Sequence, residues 1–96
     1  MTLQEVFIGK VENLIGQTQK MLSERISGKV GVGTKNELEI ILNDLTRMKS
    51  EVLKKTYPNK KRRFVIYDKF VAQKWDVRKD YSRELLDVST MYISSI

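Results

Sequence analysis

The chain contains neither cysteine nor histidine. Without cysteine it can form no disulfide bond, no thiolate zinc site and no thiol nucleophile. Without histidine it lacks the commonest metal ligand and the commonest general base, which excludes Ser-His and Cys-His catalytic pairs. Its carboxylates offer no substitute, because Glu37, Asp44 and Glu51 form an ordinary exposed row with a spacing of seven residues. We therefore expect a protein that is not an enzyme and that binds no metal or cofactor.

Long hydrophobic runs are also missing. The first ten residues, MTLQEVFIGK, include Glu5 and contain no uninterrupted apolar segment, so they predict neither a secretory signal nor a membrane span. A chain of 96 residues is long enough for one hydrophobic core but too short for two. We expect a single domain over residues 1–96, located in the cytoplasm.

Glycine and proline are confined to a few positions. All five glycines lie at or before Gly33, and the single proline is Pro58. The chain therefore has two strong breakpoints, at residues 27–34 and 57–59, because these residue types interrupt helices and strands. Three segments remain between and beyond the breakpoints.

Hydrophobic spacing predicts a helix in each of the first two segments. Both begin with Thr-x-x-Glu, at Thr2 and Thr34, a pattern in which hydroxyl and carboxylate bond to free backbone amides at a helix start. Apolar residues then recur at steps of three and four, which places them on one helical face. They are Leu3, Phe7, Val11, Leu14, Ile15, Met21, Leu22 and Ile26 in the first segment, and Leu38, Ile41, Leu42, Leu45, Met48, Val52 and Leu53 in the second.

The segment after Pro58 has three interpretations. Residues 64–67, Phe-Val-Ile-Tyr, have the β-branched and aromatic character of a strand. Over the whole segment, however, apolar and charged residues separate on a helical wheel. One helix over residues 59–96 would exceed the others by several turns, so a break near residues 76–80, where an aspartate would cap a new helix, is the third version. We predict an all-α antiparallel bundle of three helices, or of four if this break occurs.

The stretch SGKVGVGTK, residues 27–35, has the glycine spacing of a phosphate-binding loop. A P-loop reads G-x-x-x-x-G-K-[ST] between a buried strand and a helix, whereas here lysine and threonine are reversed and the preceding segment is helical. We therefore predict a turn between antiparallel helices. In this turn Gly28 ends the first helix, Thr34 caps the second, and Val30 and Val32 fold back on the end of the bundle.

The net charge of +6 originates in one stretch of the chain. Residues 1–53 carry seven basic and seven acidic side chains, and residues 75–96 carry three and four. Residues 54–74, the basic segment, carry eight cations against the single acid Asp68. The cations are Lys54, Lys55, Lys60, Lys61, Arg62, Arg63, Lys69 and Lys74.

The basic segment predicts a negatively charged partner. Lys54 and Lys55 suit a helix C-terminus, but we expect residues 60–63 at the start of the next helix, where the dipole disfavours cations and free amides attract an anion. We predict a binding or adaptor module that docks an acidic protein surface. The alternatives are nucleic acid, held through its phosphates with Tyr57 and Phe64 stacking on unpaired bases, and a solvated surface that binds nothing.

Small residues form a stripe on the first helix. Gly9, Gly16 and Ser23 are spaced by seven residues and lie on the side opposite the apolar face. An exposed glycine inside a helix costs about 1 kcal/mol relative to alanine, so two in one stripe call for a reason. The stripe predicts a second packing face and hence a homo-oligomer. The alternative is that the helix simply tolerates these glycines.

Overall fold

The computed structural model describes residues 2–31, 33–76 and 78–96, and within these ranges it contains helices and no strand. The all-α prediction is therefore confirmed. The helices are α1 (Leu3–Ile26), α2 (Lys35–Lys54), α3 (Asp68–Lys74) and α4 (Asp80–Thr90). A 3-10 turn lies at Lys60–Arg62, and α4 continues as a π-helical turn over Met91–Ser95. None of the described helices is both long and apolar enough to cross a bilayer.

The turn between α1 and α2 follows the predicted chemistry. Thr34 and Glu37 form a complete capping box, while Gly28 and Gly33 adopt left-handed φ angles of 91° and 82°. A Cβ at Gly33 would lie 2.6 Å from the ring of Trp75, so glycine is required there by space as well as by conformation. Val30 is fully solvent-exposed, which contradicts its predicted return to the bundle, and Val32 lies outside the described residues.

The helices α1 and α2 run antiparallel. Glu12 near the start of α1 pairs with Lys49 near the end of α2, with 3.5 Å between carboxylate oxygen and ammonium nitrogen. The core combines residues of all four helices and of the turn after α4 with two residues of the α2–α3 linker. Each fully buried aliphatic or aromatic side chain contributes about 1.5–3 kcal/mol to the stability of the fold. The members of the core are Phe7, Val11, Leu14, Ile41, Leu45, Met48, Val52, Val65, Tyr67, Val71, Leu85, Val88 and Tyr92.

The segment after Pro58 breaks as the four-helix version predicts, and the single-helix version is wrong. The helix α3 ends at Lys74 and α4 begins at Asp80. Asp76 makes the break, because its carboxylate accepts hydrogen bonds of 3.0 Å from the backbone amide and from Nε of Arg78. The N-cap of α4 is Lys79, without a side-chain cap, so the expected capping by an aspartate does not occur.

Residues 64–67 form a linker that ends in a turn at Ile66 and Tyr67, and not a strand. Phe64 and Ile66 expose 59% and 53% of their surface, whereas Val65 and Tyr67 are buried. The linker therefore turns Val65 and Tyr67 toward the core and leaves Phe64 and Ile66 outside. Their β-branched and aromatic character is therefore satisfied by packing on the helices, and no partner strand exists among the described residues.

Candidate partner-binding surface

The basic segment begins where α2 ends. Lys54 is the last residue of α2, and Lys55 occupies the C-cap in a left-handed conformation with φ of 56°. Both side chains are exposed. Cations at this end of a helix complement the negative end of its dipole, as the sequence indicated.

Residues 60–63 do not lie at the start of an α-helix, because α3 begins only at Asp68. Two of them instead contact the end of the last helix. Lys60 Nζ donates to the carbonyl of Ser94, and Arg63 Nη1 donates to that of Tyr92, both at 2.9 Å. Carbonyls at a helix C-terminus lack intrahelical partners and favour cations. The prediction that residues 60–63 stand at the start of a helix is therefore wrong, and part of the basic segment instead caps a helix C-terminus. Binding of a negatively charged partner by these residues stays a prediction.

Arg63 also organises the turn around Pro58. Its Nε donates to the carbonyl of Pro58 at 2.8 Å, and its guanidinium carbon lies 4.7 Å from the ring centroid of Tyr57. The Tyr92 ring lies on another side of the same guanidinium, at 5.8 Å. Arg63 thus holds the corner together, and one face of the half-buried Tyr57 is covered by it.

The other cations of the basic segment point into solvent. Within the described part of the chain, no cation of residues 54–74 forms an ion pair with a carboxylate. The single acid of the segment, Asp68, accepts a hydrogen bond of 2.9 Å from Ser89 Oγ. The exposed cations without a contact to a helix end are Lys54, Lys55, Lys61, Arg62, Lys69 and Lys74.

Apolar side chains are exposed beside these cations. Phe64 and Ile66 project from the linker, and Ile40 of α2 exposes 38% of its surface. Ile66 separates two clefts of about 220 and 260 Å³. The first is lined by Ile40, Asn43, Asp44, Arg47 and Ile66, and the second by Ile66, Lys69, Phe70, Gln73 and Lys74. We call the two clefts together the linker groove.

A buried carboxylate on α2 holds the linker in place. Asp44 is 2% exposed, and its Oδ2 accepts hydrogen bonds from the amides of Ile66 at 2.6 Å and Tyr67 at 3.3 Å. Its Oδ1 accepts from Arg47 Nη2 at 2.6 Å, and the same nitrogen donates to the carbonyl of Phe64 at 2.9 Å. The prediction that Asp44 belongs to an exposed acidic row is wrong. Together Asp44 and Arg47 fix the linker with Phe64 and Ile66 facing outward.

Arg47 extends this network to the C-terminal turn. Burial lowers the pKa of Arg47, but the hydrogen bond and charge of Asp44 and the charge of Glu51 outweigh burial and leave the pKa raised. The phenol of Tyr92 donates to the Glu51 carboxylate, and burial together with this carboxylate raises the pKa of Tyr92 to about 12. Arg47 also stacks on Phe64, with 5.0 Å between guanidinium carbon and ring centroid. The cation that flanks the exposed Phe64 is thus held rigidly.

The glycine stripe faces solvent. A Cβ at Gly9 or Gly16 would meet no atom within 4 Å, and Ser23 is exposed, so no other part of the described chain packs on these residues. Gly9 lines a cleft of about 590 Å³ together with other residues of α1, the end of α2, and Lys55 and Tyr57 of the basic segment. Self-association through this face stays a prediction.

The start of α2 in the glycine-rich turn is already bound by a carboxylate of the chain itself. The carboxylate of Glu37 accepts a 3.0 Å hydrogen bond from the amide of Thr34, so an anion already occupies the start of α2. Arg25 is used by the turn itself, because its Nε donates to the carbonyl of Gly33 at 3.1 Å. Among the described residues, no three acidic side chains come together in a way that could hold a metal ion.

No protein-family model, no curated protein and no solved structure matches the chain. Its function therefore has to follow from the chemistry of its own surface. That surface combines exposed cations, an outward-facing linker with Phe64 and Ile66, and the linker groove on either side of Ile66.

Proposed function

We propose that this protein is a non-enzymatic binding module that docks an acidic protein partner through the basic segment. The supporting observation is that its exposed cations have no carboxylate partner in the described chain and lie beside exposed apolar side chains. Surface cations of one sign raise the rate at which a negative partner associates, and buried apolar contacts then slow its release.

The apolar side chains favour a protein over nucleic acid. Binding to a phosphate backbone requires cations alone, whereas aliphatic groups such as Ile40 and Ile66 gain free energy when another apolar surface covers them. One observation favours nucleic acid as the second candidate. The Phe64 ring is 59% exposed and has the Arg47 guanidinium on one side, an arrangement on which an unpaired base can stack.

Self-association through α1 is a further part of the proposal. It is supported by the open space over Gly9 and Gly16, which would let a second helix approach the α1 backbone closely. At Gly9 this face adjoins the basic segment, because Gly9 lines the same cleft as Lys55 and Tyr57.

Anisotropy titrations with labelled ligands test the main proposal. The ligands are an acidic helical peptide, single-stranded DNA, duplex DNA and single-stranded RNA, each titrated at low and at physiological salt. The variant Lys61→Gln with Arg62→Gln removes two exposed cations, and the matched control Lys10→Gln with Lys20→Gln removes two exposed cations from α1.

We expect the peptide to remain bound at physiological salt and the Lys61 and Arg62 variant to weaken it, with no effect of the α1 control. Tight binding of duplex DNA, with a log-log salt slope that the variant reduces by about two, would instead support the nucleic-acid candidate. Absence of binding to every ligand at low salt would overturn both.

A further inference from the structure

We infer that the linker groove is the docking site for one amphipathic, acidic helix of the partner. This inference rests on the proposed function and names the recognised element. The helix would place apolar side chains in the two clefts on either side of Ile66 and direct its carboxylates toward Lys69 and Lys74.

The clefts have the chemistry of side-chain pockets. Each has several times the volume of about 30 Å³ that one water molecule occupies, and their walls include Ile40, Ile66 and Phe70. Three cations line the clefts, but Arg47 already pairs with the carboxylates of Asp44 and Glu51. Among the described lining residues Asp44 is the one carboxylate, so the unpaired charge of the groove is that of Lys69 and Lys74. The free charge of the groove is thus positive, and its occupant has to be both apolar and negative.

The backbone of the linker excludes strand addition as the mode of binding. An added strand needs a row of unpaired amides and carbonyls along an extended edge. Here the Ile66 amide is bound by Asp44, the Phe64 carbonyl by Arg47, and the Val65 carbonyl accepts from the amide of Asp68 at 3.4 Å. The partner therefore binds through side chains, which a helix presents at steps of three and four residues.

Charge also argues against a second copy of this chain as the occupant. Each copy carries a net charge of +6, and every cation of the groove would be repelled by the basic segment of the other. An anionic membrane surface would supply the negative charge, but a flat layer of headgroups would not place apolar groups in the two clefts.

The test uses a helical peptide with leucine on one face and glutamate on the other, and a scrambled peptide of the same composition. Ile66→Ala shortens the side chain between the clefts and leaves the backbone amide that Asp44 binds. Ile26→Ala is the matched control, because Ile26 is 66% exposed and lies at the end of α1. Circular dichroism verifies that both variants fold.

We expect Ile66→Ala to weaken the amphipathic peptide about tenfold, Ile26→Ala to have no effect, and the scrambled peptide to bind much more weakly. Lys69→Gln with Lys74→Gln should weaken the peptide and flatten its salt dependence. In NMR titrations of the unmodified protein, the largest amide shifts should fall on Ile40, Ile66 and Lys69.

Any of four outcomes overturns the groove. The groove is not the docking site if the two peptides bind equally. The same holds if Ile66→Ala keeps its affinity while the Lys61 and Arg62 variant loses it. Both results leave the proposed function intact. Binding of anionic phospholipid vesicles that depends on Ile66, without binding of the peptide, assigns the surface to membranes. Failure of every acidic peptide to bind removes the proposed function itself.

Discussion

Replacement of Asp44, a charged residue of the amphipathic helix α2, by alanine should destabilise the fold severely. Its carboxylate accepts four hydrogen bonds, two from Arg47 and two from the amides of Ile66 and Tyr67. In the Asp44→Ala protein these donors lose their acceptor, and at least the Tyr67 amide is buried.

The magnitude follows from the burial of the pair. Each buried donor left without an acceptor costs about 1–3 kcal/mol, and removal of one partner of a buried ion pair costs about 3–5 kcal/mol. The Arg47 side chain is still 28% exposed, so water recovers part of this loss. We expect a decrease in the free energy of unfolding of about 3–4 kcal/mol, a large part of the roughly 5–14 kcal/mol available to a domain of this size.

The chain supplies a matched control in Asp80, which pairs with Arg83 at the same spacing of three residues and at 2.7 Å. The Asp80 side chain is 92% exposed, so Asp80→Ala should cost less than about 1 kcal/mol. Urea denaturation followed by circular dichroism and by the fluorescence of Trp75, the single tryptophan, measures both variants. Equal losses in the two variants, or a loss below about 1 kcal/mol for Asp44→Ala, would refute the role assigned to Asp44.

Three further predictions concern the corner, the tyrosines and the glycine stripe. Arg63→Gln should lower the free energy of unfolding in urea by about 1–3 kcal/mol, because carbonyls at two chain positions lose a charged donor; no change would contradict its capping role. Burial raises the pKa of Tyr81 and of Tyr92 to about 12. Between about pH 10 and pH 12 these phenols therefore ionise in the unfolded chain and not in the folded one, so the free energy of unfolding is complete below about pH 10 and falls as the pH rises toward 12. Urea midpoints and phenolate absorbance measure this fall, and pH-independent midpoints would disprove it. Gly9→Leu with Gly16→Leu should shift the protein toward monomer in sedimentation, whereas an unchanged mass with a more stable helix would show that the glycines are merely tolerated.

The first two helices could be predicted because their signals are local. Thr34 and Glu37 mark the start of α2 within four residues, and the apolar steps behind them describe its core face. Helical periodicity misjudged residues 63–67, which it assigned to a helix and which lie between the 3-10 turn and α3. A strand was the alternative for residues 64–67. Residues 64–67 look like a strand because β-branched and aromatic residues suit any extended chain, and the sequence does not reveal whether a second strand is present to pair with them.

Local sequence patterns do not predict the contacts of Asp44 and of the basic segment, because the partners lie far along the chain. Asp44 occupies a regular spacing with other acids, and its true partners are amides 22 and 23 residues further along the chain. Residues 60–63 follow a turn closely, which suggested a helix start, but Lys60 and Arg63 contact carbonyls that lie 34 and 29 residues later. The cap and the left-handed glycines of the glycine-rich turn were predicted correctly because they are properties of adjacent residues, whereas the position of Val30 was not.

The contacts of Lys60 and Arg63 with the last turn set an order of events during synthesis. A ribosome adds about 5–20 residues per second, so the carbonyls of Ser94 and Tyr92 are made roughly two to six seconds after the cations that cap them. Until then the basic segment has no helix end to close on, while α1 and α2 already carry their own caps. The positively charged corner therefore cannot adopt this conformation before the chain has been synthesised as far as Ser94.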